Sequence, residues 1–253
     1  MSLALALALW VGAPAIADQP DVTHLLPPNG TSAAQLPIGF EICRDGSPRC
    51  PDEAVAEMYR RWRPLNNRCD HKAVFALTYL RTTEEFVRTV KADPSFFSDN
   101  PWVNWEDRVF AQLYFRPADA WRYSHPVPPA WQIAFQATES PDVTAIGDLF
   151  LGMNAHIQRD LPFVLAHVGL VKPNGESRKA DHDKVNQFLD NVATKLQKEL
   201  SERYDELFVA TSAAGPVDEP AVLEGVRGWR ELAWRNAERL VNAATEADRA
   251  AVA

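Results

Sequence analysis

Apolar residues recur at helical spacing through most of this chain, and no stretch keeps the apolar–polar alternation of a β-strand. The clearest stripe follows Asp183 and consists of Val185, Phe188, Leu189, Val192, Leu196 and Leu200. A helix with one apolar face is stable only when other helices cover that face. The pattern therefore predicts an all-α fold, a single helical bundle of roughly seven helices.

The seven segments with this pattern start near Asp52, His71, Asn100, Pro129, Asp142, Asp181 and Glu219. Asp70 can cap the second segment. Asn100 before Pro101 matches an N-cap residue followed by proline in the first turn. The fifth segment reaches about Gly169 and contains the apolar run 146–155.

The first 17 residues have the pattern of a signal peptide. Leu3 to Ile16 is apolar and small, and Ala15-Ile16-Ala17 is a typical cleavage signal. Residues 18–40 are rich in proline and glycine without periodicity, which predicts an extended arm before a helical domain over 41–245. No later stretch reaches about 18 uncharged apolar residues. The sequence therefore predicts a secreted or extracytoplasmic protein whose mature chain has no transmembrane segment.

Three cysteines follow the predicted cleavage point: Cys43, Cys50 and Cys69. Outside the cytoplasm we expect two of them to form a disulfide. A Cys43–Cys50 bond would close a short turn, whereas a bond from either residue to Cys69 would join this segment to a helix. The spacing leaves all three pairings open.

The apolar run ends in a polar pair that could carry chemistry. His156 and Asp160 are four residues apart, so on a helix they share one face. Gly152 lies one turn earlier on that face, where it would leave room beside the imidazole. A buried histidine and carboxylate need partners, because an unpaired buried charge is costly. The pair is either part of a metal or substrate site or a structural hydrogen-bonded pair.

Three further helices offer histidine or carboxylate groups, at Asp70-His71, Glu106-Asp107 and Asp181-His182-Asp183. Imidazole with carboxylate suits zinc, iron or manganese, and helical bundles build metal sites from facing helices. We expect a divalent metal, with zinc as the leading candidate, to be bound by His71, Asp107, His156, Asp160 and His182. Asp181 or Asp183 would act as a base or would orient a ligand. The alternative for each residue is a helix cap or a buried polar network.

The sequence resembles a family of secreted bacterial proteins described only as a domain of unknown function. The likeness covers about Pro37 to Phe208 and rests on four blocks: Cys69–Leu77, Glu106-Asp107, Gly152–Pro162 and Asp181–Asn186. The central block reads G-M-N-A-H-x-x-x-D-L-P. The resemblance implies a helical fold and brings no established reaction.

A second resemblance concerns chemistry. Secreted zinc-dependent phospholipases C and related single-strand nucleases are all-α and place zinc ligands as H-x-x-x-D on one helix, with another histidine shortly after. His156 and Asp160 match that spacing, and His167 falls one residue beyond the usual later histidine. The chain departs from the pattern in lacking a tryptophan at the predicted mature N-terminus. The resemblance implies zinc chemistry on phosphoesters.

Two hypotheses of function follow. The leading one is a metal-dependent hydrolase of small-molecule or lipid phosphoesters, in which the metal lowers the pKa of a bound water. The alternative is a non-catalytic envelope protein that binds a lipid or a small hydrophobic ligand. The net charge of -8 argues against nonspecific nucleic-acid binding. Glu-x-x-His pairs are missing, which argues against a di-iron oxidase.

Overall fold

A computed structural model describes residues 32–208, 219–243 and 245–252. Its helices are α1 Cys50–Asn66, α2 Lys72–Ala92, α3 Asn100–Arg122, α4 Pro129–Ala137, α5 Ala145–Asn154, α6 Leu161–Val168, α7 Lys179–Arg203, α8 Glu219–Asn242 and α9 Glu246–Val252. The described residues contain no β-strand, which confirms the predicted all-α class. None of the helices in these ranges is long and apolar enough to cross a membrane. The predicted signal peptide, and the arm up to residue 31, lie outside the described residues.

All seven predicted segments are helical, and α9 is an additional helix. The cap of α3 is one residue earlier than predicted, because the side chain of Asp99 accepts a hydrogen bond from the backbone N–H of Trp102. Pro101 lies in the first turn of α3, as expected. Asp70 accepts a bond from the N–H of Lys72 at the start of α2. Short polar side chains therefore stabilise the starts of α2 and α3, whereas α1, α4 and α7 begin without a side-chain cap.

The backbone between α5 and α6 forms a wider π-helical turn, Ala155–Asp160. The N–H of Leu161 donates to the carbonyl of His156, five residues back. Pro162 follows, and it has no N–H to donate and crowds the carbonyl four residues before it. The predicted helix over 142–169 is thus one continuous helical segment with a local change in winding. Short π segments of this kind are frequent at functional sites.

Two clusters of buried side chains form the core. The first, where α1, α2, α3 and α4 meet, includes Met58, Leu77 and Phe115. The second, where α3, α6 and α8 meet, includes Leu165 and Trp234. Each such side chain contributes about 1.5–3 kcal/mol when it is fully buried. The candidate site described below lies between the two clusters.

The segment before α1 is held on the helices by a disulfide and by backbone contacts. The disulfide joins Cys43 to Cys50, and Cys69 is a free, exposed thiol. Gly46 lies inside this disulfide loop with φ of 62°, and a Cβ there would lie only 2.1 Å from the carbonyl oxygen of Pro101. The loop can pack so closely against the start of α3 because that position is a glycine.

The described part of the predicted arm is extended and lies along α6. The N–H of Leu36 donates to the carbonyl of Ala166 over 2.9 Å. His167 contacts the carbonyl of Phe40 through Nε2 at 2.8 Å and accepts a longer bond from the N–H of Ile38 at Nδ1. His167 therefore has a structural role in fixing the arm, and both of its ring nitrogens are used.

Candidate functional site

A cavity of about 140 Å³ lies between α2, α3, the π turn, α7 and α8. Most of its wall is apolar, with Phe75 and Phe110 on one side and Phe188 and Val226 on another. Its polar side chains are Thr78, Tyr79, Thr82, Thr83, Glu106, Asp107, His156 and Arg230. An apolar cavity with a few convergent polar groups is the usual form of a small-molecule site.

The predicted pair of His156 and Asp160 is present and fully buried. The Nδ1 atom of His156 lies 3.0 Å from Oδ2 of Asp160. The same oxygen accepts a bond from the indole N–H of Trp131 over 2.8 Å, and Arg159 donates to Oδ1 over 2.6 Å. Asp160 is therefore an acceptor for donors from three side chains, which offsets the cost of burying its carboxylate.

This arrangement sets the protonation of the imidazole. Because Asp160 acts as an acceptor, Nδ1 of His156 carries the proton and donates it. Burial lowers the pKa of His156, and the hydrogen bond to Asp160 opposes that effect only in part. The neutral ring therefore leaves a lone pair on Nε2. That atom is buried, and no described residue bonds to it.

Packing fixes the ring position as closely as the hydrogen bond does. The ring of Phe110 stacks on the imidazole, and Tyr79 and Phe75 approach at an angle, with centroids 4.6 and 5.8 Å away. Gly152 acts on this packing indirectly. A Cβ there would lie 2.7 Å from the ring of Phe75, so the glycine makes room for Phe75 rather than for the imidazole that the sequence suggested.

Two carboxyl groups from adjacent positions on α3 reach the cavity. Burial raises the pKa of Asp107 to about 8, and the neighbouring Glu106 adds to the rise. Burial likewise raises the pKa of Glu106 to about 7, although the positive charge of Arg230 opposes it. Both groups hold a proton at pH values where an ordinary carboxylic acid has lost it. They can therefore donate hydrogen bonds near neutral pH.

Three residues that line the cavity each carry a buried polar atom with no partner among the described residues. These atoms are the hydroxyl of Tyr79, Oδ2 of Asp107 and Nε2 of His156. A buried polar group that is left unpaired costs about 1–3 kcal/mol. A water molecule or a ligand that bonds to these atoms would remove this cost.

His182 lies behind this cavity rather than on its wall. Its Nε2 lies 3.2 Å from the carbonyl of Arg230, and a guanidinium nitrogen of Arg230 lies 3.3 Å from its Nδ1. Burial places the pKa of His182 well below its ordinary value, and the charge of Arg230 lowers it further. His182 thus orients Arg230, which lines the cavity.

The other three predicted site residues bond elsewhere. Nδ1 of His71 lies 2.6 Å from Oδ2 of Asp148 on α5. Asp181 accepts from the backbone N–H groups of Ser98 and Asp99 and from the Ser98 hydroxyl, so it caps the loop before α3. Asp183 is exposed and pairs with Lys179. None of the three lines the cavity.

The predicted metal centre therefore does not assemble from the five expected ligands. Of these, Asp107 and His156 line the cavity. Asp160 does not line it and bonds to Nδ1 of His156. In the part of the chain that the structure describes, no group of three or more His, Cys, Asp or Glu side chains is placed to hold a metal ion. Two expected ligands at the cavity are fewer than the four of a tetrahedral zinc site, and zinc binding stays a prediction.

Comparison with protein families gives a match over most of the chain. The profile of a family of unknown function, DUF5995, matches residues 52–253. The chain belongs to DUF5995. All residues that line the cavity lie inside the DUF5995 match. Neither a search of curated proteins nor a search of solved structures found a significant match.

The resemblance to a helical family of unknown function is thus confirmed at the level of DUF5995. The likeness to zinc-dependent phospholipases C and nucleases gains no support from these comparisons and stays a prediction.

Sequence reasoning missed Tyr79 and Arg230, which look like ordinary core and surface residues of helices. It also missed Trp131 and Asp148 as partners, because each is far along the chain from the residue that it contacts.

Proposed function

We propose that this DUF5995 chain binds a small, largely apolar molecule in the cavity and holds its polar group on Tyr79, Asp107 and His156. The observation that supports this proposal is the set of three unpartnered polar atoms on an otherwise apolar wall. An occupant that bonds these atoms would remove the cost of leaving them unpaired. The function is that of a binding protein, the alternative that the sequence raised.

The chemistry of the three atoms defines the polar group. Nε2 of the neutral His156 accepts a hydrogen bond, whereas the hydroxyl of Tyr79 donates one. Asp107 donates in its protonated form. A hydroxyl group or a protonated carboxylic acid both donates and accepts, so it can satisfy two or three of these atoms at once. These three groups are neutral and favour a neutral head group, and the guanidinium of Arg230 on the same wall already donates to Asn186 and to the carbonyl of His182.

Binding of 1-hexanol tests the proposal, with hexane as the ligand that lacks the polar group. Calorimetric or NMR titration should show 1-hexanol binding, and Tyr79→Phe should weaken it about 3- to 10-fold, the effect of one lost hydrogen bond. Tyr114→Phe is the matched control, because Tyr114 is also buried but lies outside the cavity wall. Absence of 1-hexanol and hexanoic acid binding, or equal effects of the two variants, would refute the proposal.

The predicted metal-dependent hydrolase is the second candidate function, and one observation favours it. Asp160 bonds to Nδ1 of His156 as carboxylates do to metal-binding histidines, and Nε2 is left without a partner among the described residues. Elemental analysis of protein purified without chelators separates the two candidates. Stoichiometric zinc that is lost in His156→Ala would favour the hydrolase, whereas 1-hexanol binding that is independent of added zinc or chelator would favour the binding protein.

A further inference from the structure

A second cavity, of about 150 Å³, lies beside the first between α2, α5, α7 and α8. Among the described residues, no ionisable side chain lines it. Of its polar side chains, Gln197 donates to the carbonyl of Phe208, and the hydroxyl of Thr78 donates to the carbonyl of Val74 on its own helix. Thr82 is engaged in the same way on α2. Its polar side chains are thus already bonded within the protein, and the cavity is suited to hydrocarbon.

The two cavities adjoin at side chains that belong to both walls. These shared residues are Thr78, Thr82, Met153, Leu189 and Val226. Met153 and Leu189 are only partly buried, and a methionine side chain is flexible enough to change rotamer at little cost. The boundary between the cavities therefore combines two threonines, whose hydroxyls bond to the backbone of α2, with three apolar side chains, of which Met153 and Leu189 can move aside for a ligand chain.

The polar character is divided sharply between the two cavities. The unpartnered atoms of Tyr79, Asp107 and His156 belong to residues of the first cavity. In the part of the chain that the structure describes, no residue that lines only the second cavity carries a buried unpartnered atom. One end of the combined space thus bonds a polar group, and the other end accepts only apolar surface. That is the distribution of polarity in an amphiphile with one head and one chain.

We infer that the ligand is a single-chain amphiphile, whose hydroxyl or carboxylic acid head lies at Tyr79, Asp107 and His156 and whose hydrocarbon chain extends past Met153 into the second cavity. This inference rests on the proposed function, because the head must be bound first. A fatty alcohol and a protonated fatty acid share this chemistry. A longer chain buries more apolar surface, so affinity depends on chain length.

A series of primary alcohols from 1-butanol to 1-dodecanol tests the inference on the unmodified chain. Each methylene that enters the second cavity should raise the affinity about fourfold, the transfer effect of one buried methylene group. The gain should continue past 1-hexanol and stop when the second cavity is full. The alcohols distinguish two failures. If neither these alcohols nor hexanoic acid binds, the proposed function is wrong. If the alcohols bind but their affinity does not rise beyond that of 1-hexanol, only the inference of an amphiphile is wrong.

Ala193→Phe supplies an independent test, because Ala193 lines the second cavity and not the first. The added ring should lower the affinity for 1-decanol at least tenfold and leave 1-butanol within twofold of the unmodified chain. Ala180→Phe is the matched control, since Ala180 is an exposed residue on the same helix. Equal affinities of both variants for 1-decanol would overturn the inference. The chain-length series remains decisive if Ala193→Phe does not fold.

Discussion

The rings of Phe110 and His156 stack with their centroids 3.6 Å apart and their planes 2° from parallel. This contact joins α3 to the π turn. Asp107 lies three residues before Phe110, so both residues share a face of α3. The stack therefore holds the imidazole next to the helix face that carries the Asp107 carboxyl. Together with the hydrogen bond from Nδ1 to Asp160, the stack fixes the orientation of the His156 ring and leaves Nε2 as the unpartnered nitrogen.

Replacement of Asp160 by asparagine should destabilise the fold by about 2–4 kcal/mol, because the amide has one acceptor oxygen where the carboxylate has two. If that oxygen serves Trp131 and His156, the amide NH2 faces the guanidinium of Arg159, and two donors meet. Urea unfolding measures the loss. Asp183→Asn is the control, since that exposed carboxylate pairs with Lys179 at the surface and should change stability by less than about 0.5 kcal/mol. Similar losses in both variants would contradict the buried-acceptor role.

Gly152→Ala should cost about 1–3 kcal/mol, the range for adding volume to a packed core. The new methyl would press on the ring of Phe75, which in turn packs against His156. Gly225→Ala is the matched control, because Gly225 is exposed on α8 with nothing near its Cβ position, and alanine favours a helix. Thermal unfolding should therefore show opposite signs for the two changes. A neutral Gly152→Ala would mean that Phe75 can move away without loss.

The sequence predicted those features that depend on residues close together in the chain. Helical spacing of apolar residues located seven helices, because the 3.6-residue period is a local property. The pairing of His156 with Asp160 could be predicted for the same reason, since both residues lie on one helical segment. The π winding between them was not foreseen, although Pro162 is a local cause that could have suggested it.

Contacts between distant segments could not be predicted in this way. His71 pairs with Asp148, 77 positions away. The cavity depends on Tyr79 and Arg230, which come from α2 and α8 and carry no local signal of function. Asp181 looked like a catalytic candidate, but it caps the loop before α3. Which polar residues meet is set by helix packing, and one sequence does not show how seven helices pack.

Only one thiol per chain should react with a thiol reagent under native, non-reducing conditions. Cys69 is exposed and free, whereas Cys43 and Cys50 form the disulfide. Cys69→Ser should abolish the reaction and leave the thermal midpoint unchanged. A double Cys43→Ser, Cys50→Ser variant should lose about 2–3 kcal/mol, the stabilisation expected from closing so short a loop. Two or more reactive thiols in the unmodified chain would contradict the pairing.

The contribution of Asp107 to stability should fall as pH rises between about 4 and 8. The pKa of Asp107 is about 8 in the folded chain, against an ordinary 3.8. Between these values the folded chain keeps a proton that the unfolded chain has released, so rising pH favours unfolding until the folded group also ionises. Asp107→Asn cannot ionise and should remove this part of the pH dependence.

The Asp107→Asn variant should match the unmodified chain at pH 4 and exceed its stability at pH 8. Because part of the residue is solvated, we expect the gain at pH 8 to be about 1–2 kcal/mol. Urea unfolding at pH 4, 6 and 8 measures the difference in stability. The contributions of His156 and His182 to the pH dependence cancel in this difference, because both proteins contain these residues. Parallel pH profiles of the two proteins would show that the Asp107 carboxyl is solvated in the folded state, and that it does not offer the buried donor on which the binding site depends.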